Sequence, residues 1–98
     1  MKKFAYMALG SRVGSERKTV EFDGGSKIEI CRVRDLNYAR EMLLQLMNDD
    51  FGAIELCGAF NREFILEMIE LTQNKVCLGY SVHEPVQDEL FERFFSNK

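Results

Sequence analysis

A cysteine and a histidine are the residues of this sequence best suited to covalent chemistry. Cys57 ends an apolar segment and precedes a glycine and a predicted helix, a position at which a thiolate is stabilised. His83, the one histidine of the sequence, ends another predicted strand and could act as the base of a catalytic Cys57–His83 pair. The alternative is that Cys57 packs as a small apolar side chain and that His83 only caps or packs. A thiol-dependent enzyme is therefore one of several functions open from the sequence.

A second group of residues could bind a small polar or anionic molecule. Gly58 and Ala59 form a predicted tight turn before Asn61, a predicted helix N-cap, and such a turn leaves backbone N–H groups available to an anion. Arg12 could clamp the anion. The alternative is that the small residues let a helix pack closely on the sheet, since the three-glycine spacing of a dinucleotide loop is absent. The predicted ligand-binding residues are Ser11, Arg12, Glu55, Gly58, Asn61 and Ser81.

Glu55 is the unusual member of that group because it lies inside an apolar segment. Side chains alternate along a strand, so Glu55 and Cys57 share one face while Ile54 and Leu56 share the other. An unpaired charge in a central strand is costly to bury. Glu55 therefore needs a partner, a ligand or a subunit contact, unless it lies near the margin of the sheet beside solvent or an arginine.

Cysteine and histidine usage argues against a metal centre. Cys31, Cys57 and Cys77 lie far apart, and the sequence contains no C-x-x-C motif. A structural zinc site needs four closely spaced ligands, which these cysteines and a single histidine do not supply. The pattern is typical of reduced thiols in a reducing compartment, and we expect no metal and no other cofactor.

Length and charge restrict the class of protein. The 98 residues predict a single α/β domain spanning 1–98, and the net charge of −3 with scattered basic residues predicts no nucleic-acid partner. No apolar run approaches the roughly 20 residues of a membrane span, so no membrane partner is expected. The apolar run at the N-terminus is about six residues, too short for a secretion signal, which predicts a cytoplasmic protein.

The elements that position these residues follow from hydrophobic periodicity. Four strands are predicted at residues 3–9, 27–33, 53–57 and 76–82, and three helices at 36–48, 62–73 and from Pro85 onward. Strands that alternate with helices indicate a small open sheet of mostly parallel strands, with the order 2-1-3-4 of half a flavodoxin-like sheet. Residues 10–18 are interpreted as a loop. The sequence does not decide whether residues 19–33 form a hairpin. If they do, the strand order would need revision.

The same topology predicts assembly. Right-handed crossovers place the first two helices on one face of the sheet, which leaves the phenylalanine-rich last helix as the only cover for the other face. Because one helix is thin cover for four strands, we expect a homo-oligomer that buries the remainder.

Residues 55–60, ELCGAF, resemble the ELCGGF segment of a family of small bacterial proteins of similar length with no assigned function. The resemblance extends loosely along the whole chain. Ala59 departs from it, because that family usually has a second glycine there. What the resemblance implies is the same outline of the fold and no particular reaction.

The function expected from these patterns is a homo-oligomeric binding module for a small polar or anionic molecule. The binding site is expected at the carboxyl ends of the strands, where ligands of open parallel sheets bind. The alternatives are the thiol-dependent enzyme and a purely structural or regulatory interaction protein, with the chain itself as the expected partner.

Overall fold

A computed structural model describes residues 3–96, which contain five β-strands and three α-helices. The elements in chain order are β1 Phe4–Leu9, β2 Ser15–Glu21, β3 Lys27–Val33, α1 Leu36–Asn48, β4 Ala53–Leu56, α2 Arg62–Leu71, β5 Cys77–Tyr80 and α3 Asp88–Ser96. A single 3₁₀ turn at Pro85–Gln87 leads into α3. The predicted class, α/β with a mostly parallel sheet and three helices, is confirmed.

The predicted number and order of the strands are wrong. The sheet has five strands in the order β2-β3-β1-β4-β5, and β2 lies antiparallel to β3 at one edge. Residues 10–18, interpreted as a loop from the sequence, contain more than half of this strand. The strand escaped prediction because its sequence, SERKTVE, is almost entirely polar and exposed, as is common for an edge strand.

The hairpin that the sequence left undecided is therefore present, formed by β2 and β3. β3 nevertheless pairs in parallel with β1 on its other side. Its turn is closed by the Phe22 N–H, which donates to the Ser26 carbonyl at 2.8 Å. Gly24 and Gly25 both have φ of +91°, a backbone conformation that glycine adopts at little cost. The hairpin thus adds an antiparallel edge outside the parallel strands.

The hydrophobic core lies on one face of the sheet, under α1 and α2. Asp35 and Asn61 cap these helices, and their side chains accept hydrogen bonds from the backbone N–H groups of Tyr38 and Phe64. Satisfying these N–H groups fixes where each helix begins. The largest fully buried apolar side chains of this core are Met7, Leu43, Leu46, Ile54, Leu56 and Met68.

The opposite side of the sheet, called here the open face, has no helix packed on it in the described chain. The alternation of side chains along the paired strands places Phe4, Tyr6, Val20, Ile28, Ile30 and Glu55 on this face. Ile30 is 41% exposed. The expectation that the last helix covers this face within one chain is wrong, because no residue of α3 is buried and α3 packs chiefly on the preceding 3₁₀ turn.

Candidate functional site

Three loops meet at what we call the carboxyl edge, formed by residues 9–14, 57–61 and 81–84. The Leu9 N–H points to the Cys57 Sγ at 3.5 Å, which joins the first two loops. A Cβ atom built onto Gly58 would lie 3.2 Å from the Ser81 carbonyl oxygen, so the second and third loops also touch. The fold therefore brings Cys57, Gly58 and Ser81 together, as expected from parallel strands that end at the same edge.

The turn after β4 presents backbone donors at this edge. The Phe60 N–H donates to the Cys57 carbonyl at 3.1 Å, and Asn61 Oδ1 accepts from the Phe64 N–H at 2.8 Å. Within residues 3–96, no hydrogen-bond acceptor engages the N–H groups of Gly58 and Ala59. The role of Asn61 is thus to cap α2, while the two preceding amides are the groups left available to a ligand.

Two arginines supply positive charge to the carboxyl edge. Arg12 is exposed and forms no ion pair or side-chain hydrogen bond with the residues between 3 and 96. Arg62, the first residue of α2, is likewise exposed and without an ion pair in that range. Sequence reasoning missed Arg62, although its place directly after the Asn61 cap was a usable signal.

Ser11 shapes the first loop from inside. It is only 4% exposed, and its Oγ donates to Glu16 Oε2 at 2.8 Å and accepts from the Val13 N–H at 3.2 Å. The Gly10 and Ser11 N–H groups both donate to the Val33 carbonyl, at 2.8 and 3.2 Å. Because its hydroxyl is committed within the loop, Ser11 holds the backbone that presents Arg12 and offers little to a ligand itself.

Glu55 lies on the open face and is exposed. A Cβ atom built onto Gly79 would lie 2.9 Å from both carboxylate oxygens, so the Glu55 side chain folds across Gly79 on the neighbouring strand. This position gives the carboxylate access to water and removes the cost of burying it. Of the two interpretations of Glu55, exposure beside solvent agrees with the structure.

His83 contacts α3. Its Nε2 lies 2.6 Å from Asp88 Oδ1, and its ring stacks on Phe91 with centroids 4.1 Å apart and an interplanar angle of 8°. In the part of the chain that the structure describes, no hydrogen bond joins His83 to Cys57. The catalytic Cys57–His83 pair therefore stays a prediction.

A cleft of about 360 Å³ lies at the opposite edge of the sheet, where β1 and β3 begin. Arg17 bridges Glu29 at 3.1 Å and Asp49 at 3.0 Å, and the Thr19 hydroxyl donates to Glu29 at 2.9 Å. Burial opposes the Arg17 charge, but hydrogen bonds to Asp49 and Glu29 still raise the pKa of Arg17. Sequence reasoning missed this cluster because Arg17 and Thr19 come together with Glu29 only through β2.

The polar groups of that cleft satisfy one another. The Lys3 ammonium donates to the Asp49 carbonyl at 2.7 Å, and Lys27 lies 3.3 Å from Glu21. The cluster therefore fastens the end of α1 to the hairpin and leaves few unpaired donors for a ligand. Among residues 3–96, no three His, Cys, Asp or Glu side chains are grouped as metal ligands, and no helix has the length and apolar character of a bilayer span.

The cysteines give a first testable prediction, because their environments differ. Cys31 is fully buried, and this burial raises the pKa of its thiol to about 11, whereas Cys77 is exposed. Iodoacetamide should alkylate Cys77 readily and should spare Cys31 until the chain unfolds. Peptide mass spectrometry after timed alkylation measures both sites in one sample. Equal rates at the two thiols in the folded protein would contradict the buried position of Cys31.

The same thiol makes folding stability depend on pH. The folded chain retains the Cys31 proton at pH values at which the unfolded chain has released it. Stability therefore decreases as the pH rises from about 9 to about 11. A Cys31→Ala variant is the control, since it removes this contribution and should show a weaker loss over the same interval.

A protein-family model described as "Family of unknown function (DUF6506)" matches residues 2–96. No curated protein and no solved structure matches the chain at a significant level. The match covers all five strands and three helices, so it includes both edges of the sheet and the open face.

Proposed function

The chain belongs to DUF6506, a family of unknown function, and we propose that it is a homo-oligomeric module that binds a small anionic molecule at the carboxyl edge of its sheet. Membership of a family without an assigned function is what the resemblance of residues 55–60 implied. A bacterial origin and a cytoplasmic location stay predictions.

The observation that carries the binding proposal is the set of donors without acceptors at one edge. The Gly58 and Ala59 N–H groups precede α2, and the helix dipole adds partial positive charge in the same direction. Arg12 and Arg62 contribute full charges from the two flanking segments. Backbone amides and guanidinium groups together suit carboxylate or phosphate oxygens, which accept charge-assisted hydrogen bonds.

The ligand is expected to be small and bound weakly by one chain. The loops lie close together, because a Cβ atom on Gly58 would approach the Ser81 carbonyl oxygen, and this leaves little room between them. Exposed donors of this kind typically give about millimolar affinity, equivalent to about 4 kcal/mol. A second chain that covers part of this edge would exclude water and strengthen the same contacts.

Thermal unfolding with inorganic phosphate and with a panel of small carboxylates tests the proposal. A ligand at about 20 times its Kd stabilises the folded state by roughly 2 kcal/mol, which raises the Tm of a domain of this size by several degrees. Arg12→Ala should abolish this rise. Lys75→Ala is the matched control, because it removes the same charge just before β5, at the amino end of the sheet.

Asn61 requires a different pair of variants because it caps α2. Asn61→Ala should cost about 1 kcal/mol of stability through the lost cap, whereas Asn61→Ser retains a capping oxygen. Both variants should keep the phosphate-induced rise, since the proposed donors are the amides of Gly58 and Ala59. If no anion on the panel changes the Tm of the native chain, or if Arg12→Ala and Lys75→Ala respond alike, the carboxyl edge is not the binding site.

A further inference from the structure

α3 carries an apolar side that is largely exposed, and among residues 3–96 no strand or other α-helix buries it. Leu90, Phe91, Phe94 and Phe95 line a nearly apolar groove of about 340 Å³ along the helix. Phe94 and Phe95 are each 72% exposed. A nine-residue helix with such a stripe gains most of its stability from burial, and alone in water it would be marginal.

The segment that leads into α3 holds the helix away from the sheet. The ring of His83 stacks on Phe91, and its Nε2 contacts Asp88 Oδ1, so both contacts join the connecting segment to the helix. Residues 81–96, called here the arm, therefore extend as one unit from the end of β5. β5 is the outermost strand on that side, which places the arm beyond the sheet.

We propose that two copies of the chain exchange their arms, so that the apolar side of each α3 packs on the open face of the other copy. Residues 3–96 bury neither the open face nor the apolar side of α3, and packing one surface on the other would remove both from water. A two-fold axis would make both contacts identical and would close the assembly at two chains. This inference rests on the proposed homo-oligomeric state and specifies its partner surface.

The dimensions of the two surfaces agree with this exchange. The nine residues of α3 are about 13 Å long at 1.5 Å per residue, and five strands spaced about 4.8 Å apart span about 19 Å. One helix can therefore lie across most of the open face.

The exposed apolar side chains supply a large part of the area that a stable pair needs. Full burial of one aromatic side chain removes about 150–250 Å² from water. Phe94 and Phe95 are each 72% exposed, so burying these two rings alone would remove on the order of 300 Å² per copy. One partner contributes roughly 800 Å² to an interface of standard size, and the other exposed apolar side chains, such as Leu90 at 53% and Ile30 at 41%, add to the two rings.

Charges at the rim favour a second copy of this chain. α3 carries the three acids Asp88, Glu89 and Glu92 with one arginine, so it is net negative. On the β2–β3 side of the open face, the two bases Lys18 and Arg32 outnumber the single acid Glu16, while Glu55 lies on the other side, on β4. Opposite charges around an apolar centre steer the two surfaces together and fix their orientation.

The test begins with light scattering on the full chain after size-exclusion chromatography, where a dimer is expected. Phe94→Glu places a charge on the apolar side of the arm, and Ile30→Glu places one on the open face. Each variant alone should therefore be monomeric, with the Kd for dimerisation raised at least about 100-fold. Leu66→Glu is the matched control, because Leu66 is an exposed leucine on α2 that faces neither surface, and this variant should stay dimeric. Protection of Cys31 from alkylation shows that a variant is folded. If Phe94→Glu or Ile30→Glu does not fold, Phe94→Ala or Ile30→Ala takes its place.

Mixing the two monomeric variants separates arm exchange from other dimers. The intact arm of an Ile30→Glu chain can pack on the intact open face of a Phe94→Glu chain, so the mixture should regain dimers that neither variant forms alone. A dimer that survives Phe94→Glu, or a mixture that stays monomeric, overturns arm exchange but leaves the homo-oligomer standing. If the native chain is monomeric, both arm exchange and the proposed homo-oligomeric state are overturned. The phosphate-induced Tm shift of the monomeric variants reports on the binding proposal separately.

Discussion

Replacing Leu56 with alanine should lower the free energy of unfolding by about 2–5 kcal/mol. Leu56 is fully buried in the centre of the core, between Met7 and Tyr80 on the adjacent strands. The substitution removes apolar area and leaves a cavity that rigid neighbours cannot fill. A small domain is stable by only about 5–15 kcal/mol, so urea unfolding should show a markedly lower midpoint.

The Leu66→Ala variant is the control for that measurement. Leu66 lies on α2 and is 46% exposed, so the same chemical change removes much less buried surface there. We expect a loss below about 1 kcal/mol. Similar losses at the two leucines would mean that the core does not lie on the α1–α2 face of the sheet.

Gly14→Ala should lower the free energy of unfolding by about 2–4 kcal/mol. Gly14 has φ of +93°, which disfavours any side chain, and a Cβ atom there would lie 2.8 Å from the Tyr38 ring. The ring cannot retreat freely, because Tyr38 is partly buried and packs against the hydrophobic core. The loop that presents Arg12 would therefore have to shift.

Gly24→Ala separates the cost of backbone strain from the cost of contact with the Tyr38 ring. Gly24 has φ of +91° and no atom within 4 Å of a built Cβ, so this variant carries the backbone strain alone, about 1–2 kcal/mol. In a Tyr38→Ala background, Gly14→Ala should cost no more than Gly24→Ala does. If the cost at Gly14 is unchanged in that background, contact with Tyr38 is not the cause.

Elements with strong local signals could be predicted from the sequence. α1 spans the predicted range, α2 ends two residues before its predicted end, and Asn61 caps α2 as its residue type indicated. β2 could not be found in this way. Its stability comes from pairing with β3 and from ionic contacts such as that of Arg17 with Glu29, none of which leaves a hydrophobic pattern.

The candidate site was predictable to the extent that topology determines it. Parallel strands deliver their following loops to one edge, which brings Gly58 and Ser81 together. The partner of His83 was not predictable, because Asp88 and Phe91 compete with Cys57 and sequence spacing does not rank them. The position of α3 was likewise beyond local rules, since it depends on where residues 81–84 direct the helix.

The polar character of β2 also limits how the chain can aggregate. An edge strand can pair with a strand of another molecule and so extend the sheet between molecules. A strand that paired with β2 would have to desolvate Glu16, Arg17, Lys18 and Glu21. At the other edge, β5 offers only four residues for pairing. Growth by strand addition is thus unfavourable on both sides. A concentrated solution of this protein should accordingly remain clear, free of fibrils, despite the phenylalanines it exposes.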